Sequence, residues 1–240
     1  MSDGPLDLLA VGCHPDDVEL TSGGTMRRAA DLGHRTGILD LTRGEMGTRG
    51  TPELRAEEAR RAGDVLGVAV RENLELPDAG LANDDESRVR AVRALRRLRP
   101  GTVILPWKRG RHPDHRIGSE LMRDACFLSG LARYGEGEPH RPRKVIYAVS
   151  FREDVARPTF VVDIGEQFER KMEAIRCYAS QFDGVTQAGE AFPTGQPLYE
   201  LIEAQGRHYG SLIRRPYGEP FVTEETMAVD DVVGLAVSSF

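Results

Sequence analysis

Short apolar segments alternate with amphipathic segments along almost the whole chain. The apolar segments have the length of buried strands and read LDLLAVG, RTGILDLT, RENLELP and TVILP. The segments between them are predicted helices, at 22–32, from Thr51-Pro52 onward and at 87–100. This alternation predicts a mostly parallel sheet with helices on both faces, a Rossmann-like three-layer αβα fold of class α/β.

The rest of the chain continues the pattern, so we expect one domain over residues 1–240. Further helices are predicted at 116–134, 166–182 and 198–213, and further strands at 144–151 and 159–165. In the second helix, one face is predicted to carry Leu54, Ala62, Val65 and Leu66. In the third, Val89, Val92, Leu95 and Leu98 are expected inward and the arginines outward. The Gly- and Pro-rich stretch 182–197 is expected to be a long functional loop.

The composition of the chain argues against several classes of function. The net charge is −6 and no basic block stands out, which argues against nucleic-acid binding. Since no apolar run reaches about 20 residues, and no signal-peptide pattern begins the chain, we expect neither a membrane span nor secretion. Three isolated cysteines argue against a disulfide framework and for the cytoplasm.

Two copies of the triplet His-Pro-Asp follow predicted strands. The first strand ends in HPDD, residues 14–17, and the fourth is followed by HPDH, residues 112–115. In a doubly wound sheet of order 3-2-1-4, strands one and four are neighbours at the point where strand order reverses, and ligands bind there. The two motifs should therefore face each other across one crevice. The ordinary alternative is that these residues only cap helices and form turns.

Histidines and carboxylates from two loops make a mixed nitrogen and oxygen ligand set. Three such protein ligands with an open position are typical of catalytic zinc, whereas structural zinc sites use more thiolates. A metal also explains the paired carboxylates, because one can bind the cation while the other accepts a proton from water. The residues by themselves leave open which carboxylate has which role.

The two motifs, with GGT after the first, resemble the PIG-L superfamily of zinc-dependent N-acetylglucosaminide deacetylases. The resemblance covers nearly the whole chain. The segments LDLTRGEMGTRGTPELRAEEA, LPDAGL, YASQF and YGSLI with PYGEPF are more narrowly similar to the bacillithiol-biosynthesis branch. That branch removes acetyl from N-acetylglucosaminyl-malate, a small amino-sugar glycoside. The resemblance also implies a homo-oligomer, with a hexamer as one form.

The resemblance implies roles for individual residues. The metal ligands would be His14, Asp17 and His115. Asp16 would be the general base. His112 would be a protonated histidine that stabilises the oxyanion or protonates the leaving amine, and Asp114 would orient it. Arg55 would hold the substrate. Apart from the resemblance, Arg49 and Arg109 lie on loops beside the predicted crevice and are candidates for binding malate carboxylates, because arginine binds carboxylates with two hydrogen bonds. The expected cofactor is one Zn²⁺ per chain, with another divalent metal such as Fe²⁺ as the alternative.

Two other functions stay open at this stage. One is an amidase of the same fold that acts on a thiol–sugar conjugate, with a different leaving group. The other is a non-catalytic domain that binds a sugar or nucleotide. The glycines after the first strand do not match G-x-G-x-x-G, so the nucleotide interpretation has little support. Metal content and acetate release separate an enzyme from a binding module.

Overall fold

A computed structural model of the chain describes residues 4–149, 157–183 and 198–237. Strands and helices alternate through the first two thirds, as the hydrophobic pattern predicts. They are β1 (Leu8–Gly12), α1 (Asp17–Asp31), β2 (Thr36–Thr42), α2 (Pro52–Leu66), β3 (Val70–Leu76), α3 (Asp85–Leu98), β4 (Thr102–Pro106), α4 (Pro113–Leu128) and β5 (Lys144–Ala148). The remaining elements are β6 (Phe160–Asp163), α5 (Phe168–Arg176), α6 (Ala179–Phe182), α7 (Leu198–Leu212) and β7 (Gly218–Val222).

The strands form one sheet in the order β3-β2-β1-β4-β5-β7-β6. Neighbours among β1 to β5 are parallel, while β7 is antiparallel to both β5 and β6. This confirms a mostly parallel α/β sheet. The strand order reverses between β1 and β4, which lie side by side with Leu8 opposite Thr102. The turns that carry the two His-Pro-Asp motifs leave from this pair.

Alternate residues of the central strands point to opposite faces, and each face has its own core. Leu9 and Val11 of β1 pack on the side of α3 and α4, while Ala10 packs on the side of α1 and α2. All three side chains are at most 4% exposed. Two helical layers therefore enclose the sheet on both sides, which confirms the three-layer arrangement.

Several details of the local predictions were wrong. Both helices after the motifs begin earlier than predicted, at Asp17 and Pro113, because the motifs supply their first turns. Leu54 is 43% exposed rather than inward. Arg96 is 5% exposed rather than outward, and its guanidinium donates to the carbonyls of Ser129, Leu131, Glu136 and Gly137.

Other differences concern the last part of the chain. The segment predicted as one helix at 166–182 is divided into α5 and the short α6. Strand β7 was not predicted, because its sequence GEPFV contains two residues that disfavour strands. The stretch 182–197, expected to be a functional loop, lies outside the described residues from 184 to 197. Within the described ranges, none of the helices is long and apolar enough to cross a membrane.

Candidate active site

The HPDD turn joins β1 to α1 with an unusual backbone conformation. Asp16 has a backbone φ of 113°, a value that residues other than glycine rarely adopt. It occupies the position before the first helical residue, yet its side chain makes no capping hydrogen bond. The ordinary interpretation of this aspartate as a helix cap therefore does not hold. Its neighbour Asp17 lies in the first turn of α1, where its Oδ2 accepts the backbone N–H of His14 at 2.9 Å.

The HPDH segment begins α4 in a different way. His112 is the capping residue, and its Nδ1 accepts the backbone N–H of Asp114 at 3.2 Å. Pro113 follows in the first turn, where its missing N–H costs no hydrogen bond. Because Nδ1 is an acceptor here, the ring proton of His112 belongs on Nε2. This arrangement is that of a neutral imidazole and differs from the protonated histidine expected from the resemblance.

The two turns bring three imidazole rings together. The ring centroids of His14 and His112 are 4.8 Å apart, and those of His14 and His115 are 5.4 Å apart. The carboxylate of Asp17 lies between two of the rings, with Oδ2 3.4 Å from Nδ1 of His14 and 3.2 Å from Nε2 of His115. The donor atoms of His14, Asp17 and His115 all lie within 4.8 Å of one another, so this group could hold a metal ion. A second possible group consists of His14, His112 and Asp114.

The surroundings of His14 fit the first of these metal groups. Its Nδ1 faces Asp17, while its Nε2 lies 3.1 Å from Asp78 Oδ1 and 3.3 Å from Asp114 Oδ2. A metal-binding histidine usually donates its second ring N–H to a carboxylate, which fixes the ring and its tautomer. The resemblance implied that Asp114 orients His112, but the carboxylate of Asp114 contacts His14 and the backbone N–H of Ala79.

The charges around these histidines also suit a cation. Burial lowers the pKa of His14, but hydrogen bonds to Asp114, Asp17 and Asp78 outweigh it and raise that pKa to about 12. Burial raises the pKa of Asp17, but His115 and His14 hold it well below its usual range. Desolvation and the two neighbouring imidazoles lower the pKa of His112. The carboxylates thus attract positive charge into the site, which a bound divalent ion would supply.

Arg55 has a different environment from the one expected of a substrate ligand. It lies in the first turn of α2, is 5% exposed and faces the HPDD turn. Its Nη2 donates to Pro15 O at 2.7 Å and to Asp16 Oδ2 at 3.0 Å, and its Nη1 donates to Gly44 O. Burial raises the pKa of Asp16 to about 7, opposed by the Arg55 guanidinium. Substrate binding by Arg55 stays a prediction. Its Nη2 contacts in the structure are with the turn that carries Asp16.

The other arginines of interest lie at the rim. Arg49 donates to the carbonyl of Asp183 at 3.4 Å, and Arg109 is exposed in the loop between β4 and α4. Their role in substrate binding stays a prediction. Sequence reasoning missed Asp78, although it follows β3 at the same sheet edge as both motifs. It also missed Trp107, which directly follows β4 and lines a recess with His112 and His115.

Comparison with known proteins agrees with this geometry. The family model for GlcNAc-PI de-N-acetylase, PIG-L, matches residues 9–126, a range that contains both motifs. The chain is 34% identical over 232 residues to the diacetylchitobiose deacetylase of Thermococcus kodakarensis, covering 88% of this chain and 80% of that protein. The chain belongs to the PIG-L family. It is therefore a hydrolase that removes N-acetyl groups.

Other relatives extend the comparison. The chain is 26% identical to the probable N-acetyl-alpha-D-glucosaminyl L-malate deacetylase 2 of Bacillus cereus, over 74% of this chain and 84% of that protein. Among solved structures, the conserved protein TT1542 of Thermus thermophilus has 42% identity and a TM-score of 0.84. That match covers 94% of this chain and 98% of the other.

Proposed function

We propose that this PIG-L protein hydrolyses the N-acetyl group of an N-acetylglucosaminide and releases acetate and the free amine. The observation that carries the proposal is the convergence of His14, Asp17 and His115 beside Asp16 and His112. A non-catalytic sugar-binding domain has no need for a buried base next to a metal ligand set. The named deacetylases among the relatives support the same chemistry.

We propose that His14, Asp17 and His115 hold one divalent ion, with Zn²⁺ first and Fe²⁺ as the alternative. The mixed set of two imidazoles and one carboxylate favours zinc in a catalytic site. Such an ion would polarise the amide carbonyl and lower the pKa of water from about 15.7 toward 7. Asp78 and Asp114 lie beside Nε2 of His14 and would hold its ring in the orientation that this ligand set requires.

The remaining steps are assigned to residues of the chain. The Asp16 carboxylate accepts a proton from the attacking water, and Arg55 holds that carboxylate in position. His112 Nε2–H donates a hydrogen bond to the oxygen of the tetrahedral intermediate. The proton held by Asp16 then moves to the departing nitrogen, which leaves as the amine of the sugar while the acyl carbon leaves as acetate.

For the aglycone we favour L-malate, with a second N-acetylglucosamine unit as the other candidate. Arg49 and Arg109 lie on loops at the sheet edge of the site, and guanidinium groups bind carboxylates in pairs of hydrogen bonds. The Bacillus cereus relative is named for the malate substrate, and the Thermococcus relative for diacetylchitobiose. Malate would place the protein in bacillithiol biosynthesis.

Acetate release from both glycosides and from N-acetylglucosamine tests the proposal. The wild-type protein should release acetate in proportion to enzyme concentration. The Asp16→Asn protein should retain its metal and lose about 10²-fold or more in turnover, the usual scale for loss of a general base. A wild-type protein that binds these sugars without releasing acetate would be a binding module, and the proposal would be abandoned.

We further propose that the enzyme works in the cytoplasm as a homo-oligomer. Its three cysteines are free thiols, two of them buried, which suits a reducing compartment. Exposed apolar side chains near the end of the described chain, among them Val232 at 69% and Val233 at 92%, support contact with another copy. Light scattering of the purified chain measures the number of subunits.

A further inference from the structure

A recess of about 90 Å³ opens directly beside the metal-binding group. Asp17, Thr21, Arg111, His112 and His115 form the polar part of its wall. The apolar part of the wall consists of Val11, Leu20, Pro106, Trp107 and Ala148. Apart from Pro106, these apolar side chains are between 2% and 6% exposed, so the recess extends into the protein and is not a surface depression.

The recess lies at the switch point itself, between the ends of β1 and β4, and extends toward the end of β5. Its walls come from β1, α1, the end of β4, the loop after it, the first turn of α4 and the end of β5. Arg49, by contrast, lies on the loop after β2, and Asp78 lies just after β3. A substrate amide has two ends, and sugar hydroxyls would lose their hydrogen bonds against the apolar part of this wall. The acyl end is therefore the part of the substrate that suits the apolar part of the recess, while the polar part lies beside the metal-binding group.

The recess is larger than an acetyl group requires. One water molecule needs about 10–15 Å³ of such space, so 90 Å³ corresponds to several groups of that size. Beyond its carbonyl, an acetyl group has only one methyl to bury. Each further methylene that leaves water can strengthen binding by about fourfold, provided that it meets an apolar wall.

Trp107, which lines the recess, carries one buried polar atom without a partner. Its indole Nε1 is buried and has no hydrogen-bond partner within the described ranges. A buried indole N–H usually finds an acceptor, because leaving it unpaired is costly.

We propose that this recess binds the acyl group and that the enzyme also removes propionyl and butyryl groups from the same amine. The inference rests on the proposed function, and extends it from N-acetyl to short N-acyl sugars. In each case water adds to the amide carbonyl and the C–N bond breaks. The nitrogen takes a proton, and the acyl group leaves as its carboxylate.

Hydrolysis of glucosamine carrying acetyl, propionyl, butyryl or hexanoyl tests the inference, with release of the free amine as a common readout. We expect kcat/KM for propionyl and butyryl within about tenfold of the acetyl value. A loss of more than 100-fold at propionyl, with acetyl hydrolysed well, would overturn it. If acetate is released neither from N-acetylglucosamine nor from either glycoside while the metal is bound, the proposed function itself fails.

Variants of the wall locate the binding site. Ala148→Leu adds volume inside the recess, so the ratio of butyryl to acetyl kcat/KM should fall at least tenfold. Val149→Leu is the matched control, because Val149 is equally buried but lies outside the recess wall. The ratio does not depend on how much of the protein is folded. Leu20→Phe is a second filling variant, and an unchanged ratio in both filling variants contradicts the placement.

Discussion

At the scale of single residues, the candidate base is held in a conformation that costs energy. The φ of 113° at Asp16 lies where a non-glycine residue is strained by about 1–3 kcal/mol. Arg55 bonds both the carbonyl of Pro15 and the carboxylate of Asp16, so it ties the backbone and the side chain of this turn together. Strain of this kind persists only where neighbouring contacts enforce it.

Arg55→Ala should therefore lower kcat by about 10²-fold, the scale of a lost general base, with little change in KM. The guanidinium lowers the pKa of Asp16, so its removal should raise that pKa and move the ascending limb of the kcat/KM profile to higher pH. Arg55→Lys should recover part of the rate. If KM rises and kcat is unchanged, Arg55 binds substrate as the resemblance implies.

His115→Ala tests the metal ligands. Removing one of three ligands should reduce the metal content well below one ion per chain, measured by elemental analysis after dialysis, and should abolish acetate release. A chelator should inactivate the wild-type protein, and Zn²⁺ should restore it. His208→Ala is the matched control, because His208 is exposed on α7 away from the group. Full metal content in His115→Ala would show that the ligand set is misassigned.

At the scale of elements, the site depends on how closely α4 approaches β1. Gly118 allows this approach, because a Cβ there would lie 2.6 Å from Cys13 Sγ and 2.9 Å from Leu41 Cδ1. The thiol of Cys13 in turn donates to the carbonyl of Asp114 at 3.2 Å. The end of β1 and the first turn of α4 are thus joined directly, and these two segments carry the two histidine motifs.

Gly118→Ala should destabilise the protein by about 1–3 kcal/mol, the usual cost of adding a methyl group to a packed core. Chemical denaturation measures the loss. Combining it with Cys13→Ala removes the nearest clashing atom and should recover part of the stability beyond additivity. Glu120→Ala, on the exposed face of the same helix, should change stability by less than about 0.5 kcal/mol. Equal effects of Gly118→Ala and Glu120→Ala would contradict close packing at Gly118.

At the scale of the whole molecule, the sheet topology collects polar groups at one edge. β1, β3 and β4 each end in a turn that contributes to the site, and their parallel direction brings these turns to the same side. The protein carries a net charge of −6, so an anionic substrate is repelled overall. For the proposed malate glycoside, local arginines such as Arg49 and Arg109 at that edge would have to supply the attraction.

A malate glycoside should therefore have a higher kcat/KM than N-acetylglucosamine, and the difference should shrink as salt screens the local attraction. Arg49→Ala and Arg109→Ala should each be tested for loss of this preference. Diacetylchitobiose carries no charge, so its kcat/KM should respond little to salt. Equal values for the malate glycoside and N-acetylglucosamine at low salt would remove the malate assignment while leaving the deacetylase activity intact.

The sequence by itself was sufficient for the architecture and for the meeting of the two motifs. The spacing of apolar residues and the length of the apolar segments predict the strands and helices, because each element needs apolar residues on the face that it buries. Parallel strands then carry HPDD and HPDH to one edge. The strand β7 could not be predicted, since its pairing with β5 and β6 overrides the poor strand propensity of GEPFV.

Only the tertiary structure decided which side chains touch within the site. Asp78 contacts His14 from 64 positions away in the chain, and no spacing rule connects them. Arg55 contacts Asp16, and Asp114 contacts His14, because the packing of α2 and α4 against the sheet sets where the first turn of each helix lies. Local sequence determines where a polar residue lies along a strand or helix. The packing of distant elements determines what that residue faces.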